Sequence, residues 1–263
     1  MNRILVTGSG GQLGKCLQLA AGRFPEMQFT FLGKAELDIT NVDAVAGALE
    51  QGGYNYFINA AAYTNVDEAE RNPESAYSVN AGSLENIAKL CREHNVILIH
   101  ISTDYVFDGE KNTGYTPEDA PNPINVYGKT KLAGEQFIQA ILSRYFIIRT
   151  SWLYSEFGDN FYVKILAKAK NGETLYITDR QKGCPTRAEH LAAYILSLID
   201  KGSSEYGIHH FTDGKAMTWY EFAREIIRES NWDGEVKVVR DHNYRSFAAR
   251  PKNSVLITRE LNK

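Results

Sequence analysis

Tyr127 and Lys131 stand four residues apart in Tyr127-Gly128-Lys129-Thr130-Lys131. On a helix this spacing puts both side chains on one face, about a turn apart. An ammonium beside a phenol favours the phenolate and lowers a pKa that starts near about 10. Bringing it to neutrality asks roughly 4 kcal/mol of the charges around it. A tyrosine so tuned donates or accepts a proton at a carbonyl or an alcohol. The pair is commonplace by itself, because a lysine stem also covers many half-exposed tyrosine rings. A hydroxyl at the end of a strand, Thr103 in Ser102-Thr103-Asp104, adds a group that can hydrogen-bond a reacting oxygen.

The elements that must position these groups alternate along the chain. Short apolar, β-rich runs at residues 4–7, 27–32, 54–59, 96–101 and 145–150 are separated by helical segments, among them 73–93 and the Tyr127 helix. Five strands alternating with helices predict an α/β fold with a doubly wound parallel sheet. Residues 1–150 then form a dinucleotide-binding domain, and residues 151–263 a smaller C-terminal α/β substrate-binding domain. In that second part, helices at 187–201 and 218–230 and strands at 207–212 and 236–240 are expected. Two of these four return to the main sheet, making the domain discontinuous.

The first strand runs into Gly8-x-x-Gly11-x-x-Gly14, which opens a helix reaching about residue 23. Gly8 allows a tight turn, Gly11 lets backbone approach a pyrophosphate, and Gly14 lets helix and strand pack closely. The helix N-terminus offers unpaired N–H groups to the phosphates. Gly33-Lys34 follows the second strand, where an NAD site usually carries an acid, so Lys34 favours the 2′-phosphate of NADPH, with NADH also possible. Asp38 and Ile39 come next, toward the adenine, and Ala60, Ala61 and Ala62 leave room for a ligand after the third strand. His100, inside an apolar strand, reads as a satisfied core histidine, and Asn80 as a residue bonded within its helix or beside the site. The long connection at 104–125 is expected to be functional.

Composition narrows the partners. A net charge of −3 over 263 residues gives no basic patch for nucleic acid or anionic membrane. No apolar run approaches the roughly 18 residues that span a bilayer. Cys16, Cys91 and Cys184 are dispersed, the histidines form no ligand spacing, and no metal is expected. With no signal-peptide layout at the N-terminus, the expected location is cytoplasmic. Between residues 236 and 252 five basic residues face one acid, a composition suited to a diphosphate.

In combination these motifs resemble the extended short-chain dehydrogenase/reductases, and among them the dTDP-4-dehydrorhamnose reductases. Carrying the resemblance are Gly10-Gly11-Gln12-Leu13-Gly14, Asn59-Ala60-Ala61-Ala62-Tyr63-Thr64 with Val66-Asp67, and His100-Ile101-Ser102-Thr103-Asp104-Tyr105-Val106-Phe107-Asp108-Gly109. Tyr127 to Glu135, Arg149-Thr150-Ser151-Trp152-Leu153-Tyr154, Gln181-x-Gly183-x-Pro185-Thr186 and Arg250-Pro251-x-Asn253-Ser254 complete it. Arg180 departs from the family's usual acid. So does Lys15, where some relatives carry Glu, which counts against a metal-bridged dimer.

The resemblance implies reduction of a nucleotide sugar's C4 keto group, with Thr103, Tyr127 and Lys131 catalytic. It implies a cofactor held by Gly8, Gly11, Gln12, Leu13, Gly14, Lys34, Asp38, Ile39, Ala60, Ala61, Ala62, Tyr127 and Lys131. The sugar nucleotide would meet Thr64, Val66, Thr103, Tyr105, Trp152 and Arg250. Assembly as a monomer or homodimer is expected. A reductase or epimerase of another nucleotide sugar, and a non-catalytic NADP-binding regulatory subunit, stay open as alternatives.

Overall fold

The computed structural model describes residues 1–232 and 236–258. In chain order the first part runs β1 (Asn2–Thr7), α1 (Gln12–Ala21), β2 (Met27–Leu32), α2 (Val42–Gly52), β3 (Tyr56–Asn59), α3 (Val66–Arg71), α4 (Pro73–Tyr77) and α5 (Ser83–Glu93). There follow β4 (Ile97–Thr103), α6 (Val126–Ile141), β5 (Tyr145–Thr150), β6 (Leu153–Tyr154), α7 (Phe161–Lys170), β7 (Leu175–Ile177), β8 (Lys182–Gly183) and β9 (Thr186–Arg187). The chain then adds α8 (Ala188–Asp200), β10 (Gly207–His210), β11 (Met217–Thr218), α9 (Trp219–Glu229) and β12 (Val238–Arg240).

Six strands form one parallel sheet in the order β10-β5-β4-β3-β1-β2. Its central strands are apolar almost throughout because both faces are covered. One face packs on α1 and α8 through Leu13, Leu17, Leu191 and Ile195. The other packs on α2, α5 and α6 through Val45, Leu49, Ile87 and Ile138. After β1 the chain steps to β2 on one side, and β3 then takes the opposite side. Ligands of open α/β sheets bind at this reversal, beyond the carboxyl ends of the strands.

Two of the differences from the sequence expectation bear on the site. Residues 73–93 are not one helix: α4 and α5 are joined by a π turn over Ser78–Gly82. Asn80 explains it. Its Oδ1 accepts from Tyr63 N and its Nδ2 donates to Tyr63 O and Thr130 Oγ1, tying the turn to the loop after β3 and to α6. α6 comes so near that a Cβ on Gly134 would stand 2.2 Å from Asn80 O. The second difference is β4, which continues to Thr103, so Ser102 and Thr103 lie within the strand.

Behind the sheet's carboxyl edge a buried ion pair joins two elements. Arg149 on β5 donates to both oxygens of Glu135 on α6, at 3.0 and 2.6 Å, and Ser102 Oγ donates to the same carboxylate. Arg149 and Glu135 are 1% and 0% exposed. The connection at 107–125 is pinned rather than loose: Tyr115 donates to Asp108, Lys111 pairs with Asp119, and Tyr115 bridges to Leu256. α7, α9, β7 and β12 enclose a separate apolar cluster that includes Ile165, Leu175, Phe222 and Ile226.

Candidate active site

Gly8 turns the chain out of β1 with φ +71°, and a Cβ there would lie 2.6 Å from the Ala60 backbone at the end of β3. A Cβ on Gly14 would lie 2.4 Å from Gly8 O, so the loop closes on the helix only because both are glycine. α1 starts directly after it, with no side chain capping its N-terminus and no acid in its first turn. Open N–H groups and an unopposed dipole there suit an anion. A cleft of about 770 Å³ lies over this helix start. Gly14→Ala is expected to displace the Gly8-Ser9 backbone and weaken NADPH binding at least about tenfold, measured by titration calorimetry.

Gly8, Gly11, Gln12, Leu13, Lys34, Asp38, Ile39, Ala60, Ala61 and Ala62 line the cleft. Gly14 lies behind them as the packing glycine. Thr40 donates to Asp38 from its N–H and its hydroxyl, which holds the Asp38 carboxyl below its usual range. These residues fit a dinucleotide phosphate: a glycine cradle that a Cβ would fill, a free helix end, and a lysine after β2.

Thr103, Tyr127 and Lys131 line the same cleft, brought there by β4 and α6. Asn125 caps α6 by accepting from Gly128 N at 2.7 Å and fastens the cap to the C-terminal segment by donating to Ala249 O. Contrary to the expectation from spacing, Lys131 does not lower Tyr127. Burial dominates and pushes the phenol up to about 12, against a hydrogen bond with Thr103. The ammonium is occupied elsewhere: Lys131 Nζ lies 3.1 Å from His100 Nε2 and donates to Ile101 O at 2.7 Å. Burial lowers Lys131 itself to about 8. His100 is indeed in the core, yet it is in contact with the site. Thr103 Oγ1 donates to Asp104 Oδ1 at 3.1 Å, while Asp104 Oδ2 has no partner and burial raises its carboxyl to about 7.

Trp152 and Thr64 also line the cleft, but Val66, Tyr105 and Arg250 do not reach its wall. Arg250 instead pairs with Asp67 at 3.3 Å, and Tyr105 sets its ring edge against Tyr127 with centroids 5.9 Å apart. Arg250 Nη1 is buried without a partner. Trp152 adopts φ +49° and stacks face to face on Trp219, 3.5 Å between centroids. Sequence reading missed Trp219, whose partner lies 67 positions away, and Asp104, which stands in a quoted motif with no local sign of its burial. It also missed the second attachment of Gln12, which donates to Leu153 O and meets Ser155 and Asn160. Among the described residues no group of His, Cys, Asp and Glu comes together to hold a metal.

Comparison with known proteins gives the following. The family model described as RmlD substrate binding domain matches residues 1–263. The chain is 38% identical to a dTDP-4-dehydrorhamnose reductase of Aggregatibacter actinomycetemcomitans, over 97% of this chain and 90% of that one. It is 36% identical to a dTDP-4-keto-6-deoxy-D-glucose reductase of Streptomyces niveus, over 97% of this chain and 88% of that one. A crystal structure of dTDP-4-dehydrorhamnose reductase from Bacillus anthracis in complex with NADP matches with a TM-score of 0.93 at 37% identity, covering 98% of this chain and 92% of that one.

Proposed function

The chain belongs to the RmlD substrate binding domain family, and from that premise we infer that it reduces the C4 keto group of dTDP-4-dehydro-L-rhamnose to dTDP-L-rhamnose with NADPH. One observation carries the reading: Thr103, Tyr127 and Lys131 share a single cleft with the glycine loop and Lys34. NADPH, when bound, supplies the hydride. The glycine loop and the α1 N-terminus hold its pyrophosphate, and Lys34 its 2′-phosphate.

Tyr127 gives its proton to the oxygen that becomes the C4 hydroxyl. Thr103 hydrogen-bonds that oxygen as charge develops on it. Lys131, on the wall of the same cleft, stabilises the tyrosinate left behind. Trp152 covers the sugar, Asp104 Oδ2 accepts from one of its hydroxyls, and Thr64 lies farther along. After local rearrangement Val66 and Tyr105 meet the sugar and Arg250 the diphosphate. We assign the dinucleotide to residues 1–150 and the sugar nucleotide to 151–263, of which 233–235 and 259–263 lie outside the described residues. α8 and β10 join the main sheet's side and interrupt the second unit. A charged cofactor and substrate, which do not cross a membrane unaided, support a cytoplasmic location, and assembly as a monomer or homodimer belongs to the same reading.

The test follows loss of reduced-nicotinamide absorbance with dTDP-4-dehydro-L-rhamnose, and with dTDP-4-keto-6-deoxy-D-glucose in parallel. Turnover of the first is expected to exceed that of the second. The reverse would move the substrate to the sugar reduced by the Streptomyces relative. Lys34→Asp is expected to raise the KM for NADPH about 10- to 100-fold, the loss of a charged hydrogen bond, with a much smaller change for NADH. Equal changes for both cofactors would remove Lys34 from the 2′-phosphate.

A further inference from the structure

A buried polar row crosses the sheet beside Lys131. Thr7, Asn59 and His100 are register neighbours on β1, β3 and β4. All three are fully buried, with apolar residues on either side of Asn59 and His100 along the chain. Thr7 Oγ1 donates to Asn59 Oδ1 at 2.8 Å, and Ala61 N donates to the same oxygen at 3.2 Å. A backbone N–H cannot accept, so the Asn59 carboxamide has one orientation, with Nδ2 toward His100 Nδ1 at 3.3 Å. Nδ1 must therefore hold a lone pair. Burial keeps the imidazole uncharged, so its one proton sits on Nε2, which faces Lys131 Nζ at 3.1 Å. Two nitrogen donors compete for one lone pair, and Asn59 holds it.

We propose that His100, locked in its Nε2–H tautomer by Asn59, is a positioning residue that holds Lys131 Nζ against β4 and opposes its ammonium form, so that the lysine gives up a proton at working pH. Burial already lowers Lys131, and an Nε2–H facing Nζ at 3.1 Å acts in the same direction. Glu135, on the same helix, favours the ammonium but is already paired with Arg149 of β5. Tyr127 on α6 is un-ionised, and Asp104 follows β4 on the far side of Thr103.

The consequence rests on the reductase reading. Tyr127 loses its proton as the product O–H forms. The tyrosinate takes a proton from the Lys131 ammonium, and the amine regains one from solvent in the cleft. With the phenol at about 12 and the ammonium lowered to about 8 the transfer runs downhill, and an Nε2–H facing Nζ adds to that drive.

The experiment has two arms. In cofactor-free wild-type protein, two-bond proton–nitrogen correlation spectra of imidazole-labelled protein are expected to show an unprotonated Nδ1 and a protonated Nε2 at His100. A protonated Nδ1 would overturn the proposal, whatever substrate the enzyme takes. In the second arm kcat/KM is followed from about pH 6 to about pH 10 for wild type and His100→Gln, whose amide oxygen accepts from the ammonium. The alkaline limb is expected to move up by about one pH unit in the variant. A uniform loss of activity with an unmoved limb would mean that His100 only packs. Failure of wild type to turn over at any pH would count against the reductase reading, while the tautomer arm still decides the role of His100.

Discussion

Tyr127→Phe is expected to lower kcat about 1,000-fold while leaving NADPH affinity within about twofold, the mark of a lost general acid. The phenylalanine ring keeps the volume and the edge contact with Tyr105. Only the hydroxyl goes, and with it the proton that the proposed mechanism delivers to the C4 oxygen. Burial holds this phenol at about 12, so it is fully protonated over the working range and ready to donate. An acid that weak needs help in the transition state, which the proposed mechanism assigns to Thr103 and Lys131. Thr103→Val therefore should cost less than Tyr127→Phe, because a hydrogen bond is lost and no proton. Single-turnover oxidation of bound NADPH separates chemistry from binding. Unchanged kcat in Tyr127→Phe would transfer the acid's role to another group, Asp104 first.

Glu135→Leu is expected to destabilise the fold by about 3–5 kcal/mol, because it leaves Arg149 charged, buried and unpaired. For a chain of this size that is a fall of roughly 10 °C in Tm, readable by scanning calorimetry. Arg149 Nη1 already has no hydrogen-bond partner, so the guanidinium has no spare acceptor to turn to. The double variant Glu135→Leu/Arg149→Met should recover most of the loss, since apolar residues of similar volume can replace a buried pair. If the single variant melts with wild type, the pair contributes nothing to stability.

The sheet was legible because its signals are local. Residues 27–32 and 145–150 are apolar runs that fold as β2 and β5 with the same ends. The glycine spacing after β1 and the Tyr127–Lys131 spacing on α6 likewise need only neighbouring residues to be read. What stayed hidden depends on partners far along the chain. The π turn at Asn80 exists because Tyr63 and Thr130 claim its amide. The placement of Lys131 Nζ is set by His100 and Ile101 O and its lowered value by burial, not by the tyrosine one turn away. Arg250 matches its motif in sequence, yet Asp67 holds it outside the cleft. α7 covers an aromatic cluster whose helical period is masked by rings that pack outside the helix, such as Phe161 on Trp219.

Trp152 adopts a backbone conformation that glycine occupies freely and a bulky L-residue does not, which costs about 1–2 kcal/mol. Its ring can lie flat on Trp219 only because position 183 has no Cβ, which would meet the indole at 2.5 Å. An engineer seeking heat resistance would mark residue 152 for replacement by glycine and residue 183 for replacement by alanine, the usual ways to relieve a strained turn and to stiffen a flexible one. Here both choices would dismantle the aromatic wall of the cleft. The stretch most inviting to a stability screen is one to exclude from it.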